Sequence, residues 1–379
     1  MLINQFKLVN VVINKKTILL FSIGLLVYWV IGLLGYSLTR AQESQVADNL
    51  RLEEFACIAR DPATFKSCLI ESRSTSVPVI KIIAPIICQS ASDCSFEIKD
   101  LTTSLEISPS SPENKFLRKI DFSYTLLSIS GSSNINLEGL TFEDEGENSC
   151  PQGVTCAPFA SIDSSSTITL NKVTFLKTKG PSLIINNSRQ ITVTDSNFKE
   201  SFKTGLEIKT QGFTQNLKIM RNNFENNSGS GLIFQAPGAG QNTSEISHNK
   251  FINNHSGGSY SNCLYPCVAS QLKIAGPSSN IKISANTISG GINTALDSLG
   301  LFVSGIEIGG QNITNANLNC NEITGNRGSG IVQAPPLSNI NNVSISENKL
   351  WNNGLNLNIP TATASADNCY TQECTLACK

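Results

Sequence analysis

Eight segments of the chain share one pattern of apolar and polar positions: NINLEGLTF, TITLNKVTF, QITVTDSNF, NLKIMRNNF, TSEISHNKF, NIKISANTI, NANLNCNEI and NVSISENKL. Each ends on an apolar anchor: Phe142, Phe175, Phe198, Phe224, Phe251, Ile288, Ile323 and Leu350. Five residues before each anchor stands Leu137, Leu170, Val193, Ile219, Ile246, Ile283, Leu318 or Ile345. Such alternation marks a half-buried strand. Successive anchors lie 33, 23, 26, 27, 37, 35 and 27 residues apart. The unit is therefore about two dozen residues, enlarged in places by an insertion.

Asparagine recurs in register with the anchors. Asn222, Asn249, Asn286, Asn321 and Asn348 stand two residues before the last five, and Asn227, Asn254, Asn326 and Asn353 three residues after four. Asparagine tolerates left-handed turns, and its amide can bond to the same amide one layer away. These columns read as internal ladders rather than ligand sites. A second strand starts about eight residues past an anchor, often after glycine, as in Gly205-Leu206, Gly231-Leu232 and Gly330-Ile331. Strand, Asn turn, anchor, strand and loop make one coil of a solenoid whose coils must stack to bury their apolar faces.

On these motifs the chain resembles the right-handed parallel β-helix repeat family, the architecture of pectate lyases and many surface proteins. The resemblance covers residues 77–359 and implies the hand of the coil. It implies no activity, because function belongs to sites placed on folds. Further strands are expected at 79–83, 96–98 and 105–107. Open solenoid ends need covers. Residues 42–76 are expected to form a helical cap of two short amphipathic helices, and the Cys-rich tail 360–379 to close the far end.

Residues 1–41 stand apart. Lys7, Lys15 and Lys16 precede an uncharged, mostly apolar run of 21 residues at 18–38, and Thr39-Arg40-Ala41 offers a cleavage site. This is the pattern of an exported chain, with the run serving either as a cleaved signal or as a retained single-span anchor. Residues 1–41 hold four basic and no acidic side chains, so 24 of the 28 basic residues remain to face 29 acidic ones, net −5. That balance disfavours a nucleic-acid partner. All twelve cysteines follow the apolar run. Cys57/Cys68, Cys88/Cys94, Cys150/Cys156 and Cys263/Cys267 form close pairs. Cys320, Cys369, Cys374 and Cys378 allow three pairings. Disulfides are favoured over a zinc site, since the tail has no matching histidine.

Three insertions fall at one register, between anchor and second strand: 143–161, 252–271 and 289–305. Insertions at one register emerge on one face of a solenoid. The middle one carries Tyr260 and Tyr265 around Cys263 and Cys267, and outward aromatic rings suit sugar stacking. A structural loop-pinning role for that disulfide is the alternative. Outward columns include Lys218, Glu245 and Lys282, and Lys273 followed by Glu307, which read as cross-strand pairs. Three residues before the anchors stand Lys172, Asp195, Arg221 and His248, where acid, base and imidazole converge. Asp195, Arg221 and His248 are the candidate catalytic group, with a solvated charge column as the alternative.

Pectate lyases of this architecture carry Asp-rich calcium sites, polygalacturonases Asn-Thr-Asp, Asp-Asp, Gly-His-Gly and Arg-Ile-Lys, and uronate epimerases Asp-Pro-His-Asp. The coils of this chain contain no clustered Asp and none of these motifs. No metal or cofactor is expected. The expected function is binding of a cell-surface or extracellular polysaccharide, or of a cell-envelope component. A polysaccharide lyase, hydrolase or epimerase with a divergent site is the first alternative, and a structural or adhesive rod the second.

Overall fold

The computed structural model describes residues 56–74, 78–119, 122–145, 156–209, 216–236, 243–255, 269–292, 302–310, 312–334, 340–359, 363–364 and 367–375. The apolar run 18–38, the first cap helix up to Phe55, Cys150, Cys263, Cys267, Cys378, Tyr260 and Tyr265 lie outside them.

The described chain is a right-handed parallel β-helix of three sheets, called A, B and C, with 12, 10 and 10 strands. One coil shows how residues build it. Arg189–Thr194 runs in sheet A with Ile191 and Val193 inward. Asp195 turns the chain at φ 52, Ser196 points inward, and Asn197–Lys199 forms sheet B around Phe198. Glu200 turns it again at φ 56, and Leu206–Lys209 enters sheet C. Each strand pairs in parallel with its counterpart one coil away, so like residues stack.

Stacking explains the anchor column. Phe116, Phe142, Phe175, Phe198, Phe224 and Phe251 lie face to face with successive ring centroids 4.8–5.2 Å apart, and all but Phe116 (1% exposed) are fully buried. Each ring removes enough apolar area from water to contribute about 2–3 kcal/mol, and offset stacking adds roughly 0.5–1.5. Ile288, Ile323 and Leu350 continue the column. Glycine before the second strand has a steric reason: a Cβ on Gly231 would stand 2.8 Å from the Phe224 Cβ.

The Asn columns are ladders. At the corner between sheets A and B, the Asn249 Oδ1 accepts from the Asn222 backbone N–H (2.9 Å) and amide (3.0 Å). The Asn249 amide donates to the Ile219 carbonyl (2.8 Å) and to Asn286 Oδ1 (3.0 Å). The same pattern runs through Asn321 and Asn348 and extends to Asn368 in the tail, whose Oδ1 accepts from the Asn348 N–H at 2.9 Å. Corner backbone groups turned into an apolar interior thus find partners without water. Toward the amino terminus the column passes through Ser196 to Val173 and Leu140.

A second ladder at the corner after sheet B links Asn227 to Asn254 and Asn326 to Asn353. The intervening coil has Gly291 at this seat. Gln271 reaches in from sheet C instead, accepting from the Asn254 amide (3.2 Å) and donating to Asn326 Oδ1 (2.7 Å).

The ends differ in part from the sequence expectation. Residues 56–59 are not helical: Ala56–Ala59 is the edge strand of sheet A, paired with Val79–Ile82. The cause is the open end of the sheet, whose edge groups need a partner, while Ala59 is buried and Cys57 is bonded to Cys68. A helix does follow at Pro62–Ser74, capped by Asp61, whose Oδ1 accepts from the Thr64 N–H at 2.8 Å. Its Phe65 packs edge-on against Phe96 and Phe116. Cys88–Cys94 and Cys369–Cys374 are also disulfides. Cys156 and Cys320 are disulfide-bonded as well. The tail continues the coil: Thr363–Ala364 pairs with Ser344 and Ile345 in sheet A, and Cys369 bridges to Lys349.

Candidate functional site

The three sides of a coil are connected unequally. Sheet A passes to sheet B through a two-residue corner such as Asp195-Ser196. The connections from sheet B into sheet C are longer, as from Lys250–Ile252 to Ala269–Ala275, and those from sheet C to sheet A vary from two residues to the eight between Leu206–Lys209 and Lys218–Met220. All three insertions run from sheet B to sheet C. The long connections therefore border sheet C on the margin it shares with sheet B, while its margin with sheet A mixes eight-residue connections with two-residue turns such as 131–132, 164–165 and 187–188.

Its outward residues form two columns. One carries Glu97, Ser128, Ser161, Ile184, Glu207, Ile233, Lys273 and Glu307 in register. The other carries Lys99, Ser130, Asp163, Asn186, Lys209 and Gln235. Most of the face from Glu97 to Gln235 is exposed or half-buried; Glu307, Val332 and Ala334 further along are buried. Hydroxyl and amide groups alternate there with two isoleucines, a surface able to hydrogen-bond hydroxyls and to receive apolar C–H faces.

Two buried polar clusters lie at its margin, neither apparent from the repeat. Arg118 and Asp144 form a fully buried bidentate pair at 2.6 and 2.8 Å. The Lys179 backbone N–H donates to the same carboxylate at 2.7 Å. The Lys179 ammonium, itself buried, sits 5.7 and 5.6 Å from the Phe122 and Phe202 rings, and Arg118 lies 4.8 Å from Phe159. Burial lowers the Lys179 pKa, and Asp144 partly offsets that. The half-buried Phe122 and Phe202 stand on connections leading into sheet C.

In the second cluster His255 Nε2 lies 3.0 Å from Ser230 Oγ, and Ser270 Oγ donates to Glu307 Oε2 at 3.0 Å. Lys273 pairs with Glu307 at 2.8 Å. Burial, with Lys273 adding to it, pushes the His255 pKa down to about 3, against a hydrogen bond with the Ser270 backbone. The ring is neutral near pH 7. Both clusters tie successive coils together.

The Asp195, Arg221 and His248 column lies elsewhere. These residues and Lys172 occupy the left-handed seat of the corner between sheets A and B, with φ of 52, 56, 56 and 53. The same seat holds Ala285, Cys320 and Glu347 in later coils. A left-handed corner throws its side chain outward, so the column is exposed on a short turn, away from the insertions. Arg221 binds Asp195 bidentately at 2.8 and 2.7 Å. That hydrogen bond holds the Asp195 carboxyl below its ordinary range and weakens it as a base. His248 is exposed, with Ala285 beyond it. The corner geometry fits the solvated charge column given as the alternative to a catalytic group.

The chain belongs to the right-handed β-helix family: the sequence signature described as right handed beta helix region matches residues 113–263 and 158–376. Among solved structures it is similar to an alginate lyase from Paenibacillus sp. str. FPU-7, with TM-score 0.53 and 11% identity over 83% of this chain and 97% of that one. It is also similar to the A-module of the Azotobacter vinelandii mannuronan C-5 epimerase AlgE4, with TM-score 0.47 and 13% identity over 83% and 99% of the two chains. A pectate lyase, Pel9A, gives TM-score 0.47 and 14% identity over 77% and 65%. At these identities the likeness is one of fold. No curated protein matches the chain.

Proposed function

We propose that this chain is an exported β-helix that binds a polysaccharide of the cell surface or envelope along the outward face of sheet C, with no catalytic centre in the Asp195, Arg221, His248 column. The observation that carries this reading is the placing of all three long insertions on the margin through which the chain enters sheet C, whose outward face is polar and half-open. The coil rise of about 4.8 Å is close to the length of one sugar unit in an extended chain, so a polymer lying along the axis meets one coil per sugar. The likeness in fold to a lyase named for alginate supports a polysaccharide as the ligand class. Tyr260 and Tyr265, in the connection that enters sheet C at Ala269, are proposed to stack on sugar rings.

Export rests on the basic residues before the apolar run 18–38 and on the disulfides of the coils, which persist in oxidising compartments. The run acts as a signal or as an anchor holding the coils at the membrane surface. The test is binding of the oxidised full chain to a glycan panel, followed by product analysis on every hit. Binding with unchanged glycan supports the reading. A cleaved or epimerised product replaces it with an enzyme, and failure to bind any glycan leaves a structural rod.

A further inference from the structure

Resting on the sheet C reading above, we infer that the polymer is a neutral, hydroxyl-rich glycan and not a polyuronate. The outward columns of sheet C hold four carboxylates (Glu97, Asp163, Glu207, Glu307) and three ammonium groups (Lys99, Lys209, Lys273), a net charge of −1. Two of the ammonium groups are already committed: Lys209 contacts Glu207, and Lys273 lies 2.8 Å from Glu307. A polyuronate laid along the axis would present a carboxylate at each coil, and each would need a cation or a charge-assisted donor to offset lost hydration. The face offers serine, asparagine and glutamine instead.

The connections from sheet B to sheet C carry five cations (Lys119, Lys177, Lys179, Lys203 and Arg327) against six carboxylates (Asp93, Asp121, Glu145, Glu147, Glu200 and Asp297), so they add no net positive charge. Segments 146–155, 210–215, 237–242, 256–268, 293–301 and 335–339 contain no lysine or arginine, and they include Glu147 and Asp297. Several other cations of the coil are matched in the same way. Lys115, Lys199 and Lys349 on sheet B pair with Glu143, Glu225 and Glu322. Lys119, on the connection leaving sheet B, pairs with Glu145 at 2.9 Å.

The open part of the face suits uncharged sugars. Ser128, Ser130, Ser161, Asn186 and Gln235 can each donate to and accept from ring hydroxyls, while Ile184 and Ile233 meet the C–H faces between them. Specificity would then come from hydrogen-bond register along the axis rather than from charge.

The experiment measures binding of the full chain to two carboxyl-free probes, a mixed-linkage β-glucan and a galactomannan, and to alginate and polygalacturonate. It is run from about 0.05 to about 0.5 M salt. The inference expects a neutral probe to bind at least about tenfold tighter than either uronate, with affinity changing less than about twofold across the salt range. Asp163→Lys turns the net charge of the face from −1 to +1 and is expected to bring in salt-sensitive uronate binding. Tighter binding of alginate or polygalacturonate by the unaltered chain, weakening with salt, overturns the neutral ligand and leaves the polysaccharide reading intact. Binding to none of the four overturns both.

Discussion

Replacing Asn249 tests whether the corner ladder carries stability or merely accompanies the fold. Its side chain makes four hydrogen bonds: two accepted from Asn222, one donated to the Ile219 carbonyl and one to Asn286. Asn249→Ala leaves two buried donors on Asn222 without an acceptor, at about 1–3 kcal/mol each, so a loss of about 4 kcal/mol is expected. Asn249→Ser should cost about half as much. The native column shows why: Ser196 already accepts from the Val173 N–H at 3.0 Å while its own hydroxyl turns to the Thr194 carbonyl at 2.8 Å. The control is the exposed ladder Asn280, Asn315, Asn342, where Asn315 donates to Asn280 at 2.9 Å in contact with water. Asn315 sits at φ 53, a seat glycine also accepts, so Asn315→Gly should change stability by less than about 0.5 kcal/mol. Urea unfolding followed by far-ultraviolet circular dichroism reads all three. If Asn249→Ala costs under about 1 kcal/mol, or no more than Asn315→Gly, the ladder amides do not stabilise the corner and merely accompany the fold.

Three further outcomes are expected. Arg118→Met leaves the buried Asp144 carboxylate with only Lys179 as partner and should cost about 3–5 kcal/mol, whereas Arg118→Met with Asp144→Leu should recover only part of it, because the buried Lys179 then loses its carboxylate; full recovery in the double variant would contradict this. His255 is neutral in the folded state down to about pH 3, while the unfolded ring takes up a proton below 6.5. Above 6.5 it contributes no pH dependence, and as pH falls from 6.5 toward 3 stability drops by up to roughly 5 kcal/mol; urea titrations of the native chain and of His255→Gln should diverge in that window, and parallel curves would refute the assignment. His248→Ala, into a seat that Ala285 already fills one coil on, should leave glycan binding and any turnover unchanged and shift stability by less than about 0.5 kcal/mol; loss of turnover would restore the corner column as a site.

How much of this could be read in advance depends on whether a residue's environment repeats. Phe142 to Phe251 and Asn222 to Asn348 occupy the same seat in each coil, so each coil asks for the same chemistry and the periodicity is visible. Gln271 is invisible by the same rule: it fills the second ladder from a different sheet, 20 positions before the Gly291 seat it serves. Asn368 escapes notice because the tail carries the ladder residue without the full repeat around it. Arg118, Asp144 and Lys179 meet across three coils, with no common spacing.

The same rule separates the two candidate sites. Register puts Lys172, Asp195, Arg221 and His248 in one column, and the structure keeps them there, but register does not say which way a column faces. The positive φ at every one of these positions does. A residue in a left-handed corner is turned outward by the backbone, so the seat accepts Lys, Asp, Arg, His, Ala and Glu alike, and the corner geometry by itself is enough to hold them in one column. The outward face of sheet C makes the opposite case. Its serines look unremarkable along the sequence, and what distinguishes them is where the chain spends its extra length. Connections of nine residues or more enter sheet C three times, while no corner from A to B in the described coils exceeds two residues between Glu138 and Lys349. In a solenoid whose coils are otherwise interchangeable, that asymmetry is what favours the B–C margin over the A–B corner in the proposed reading.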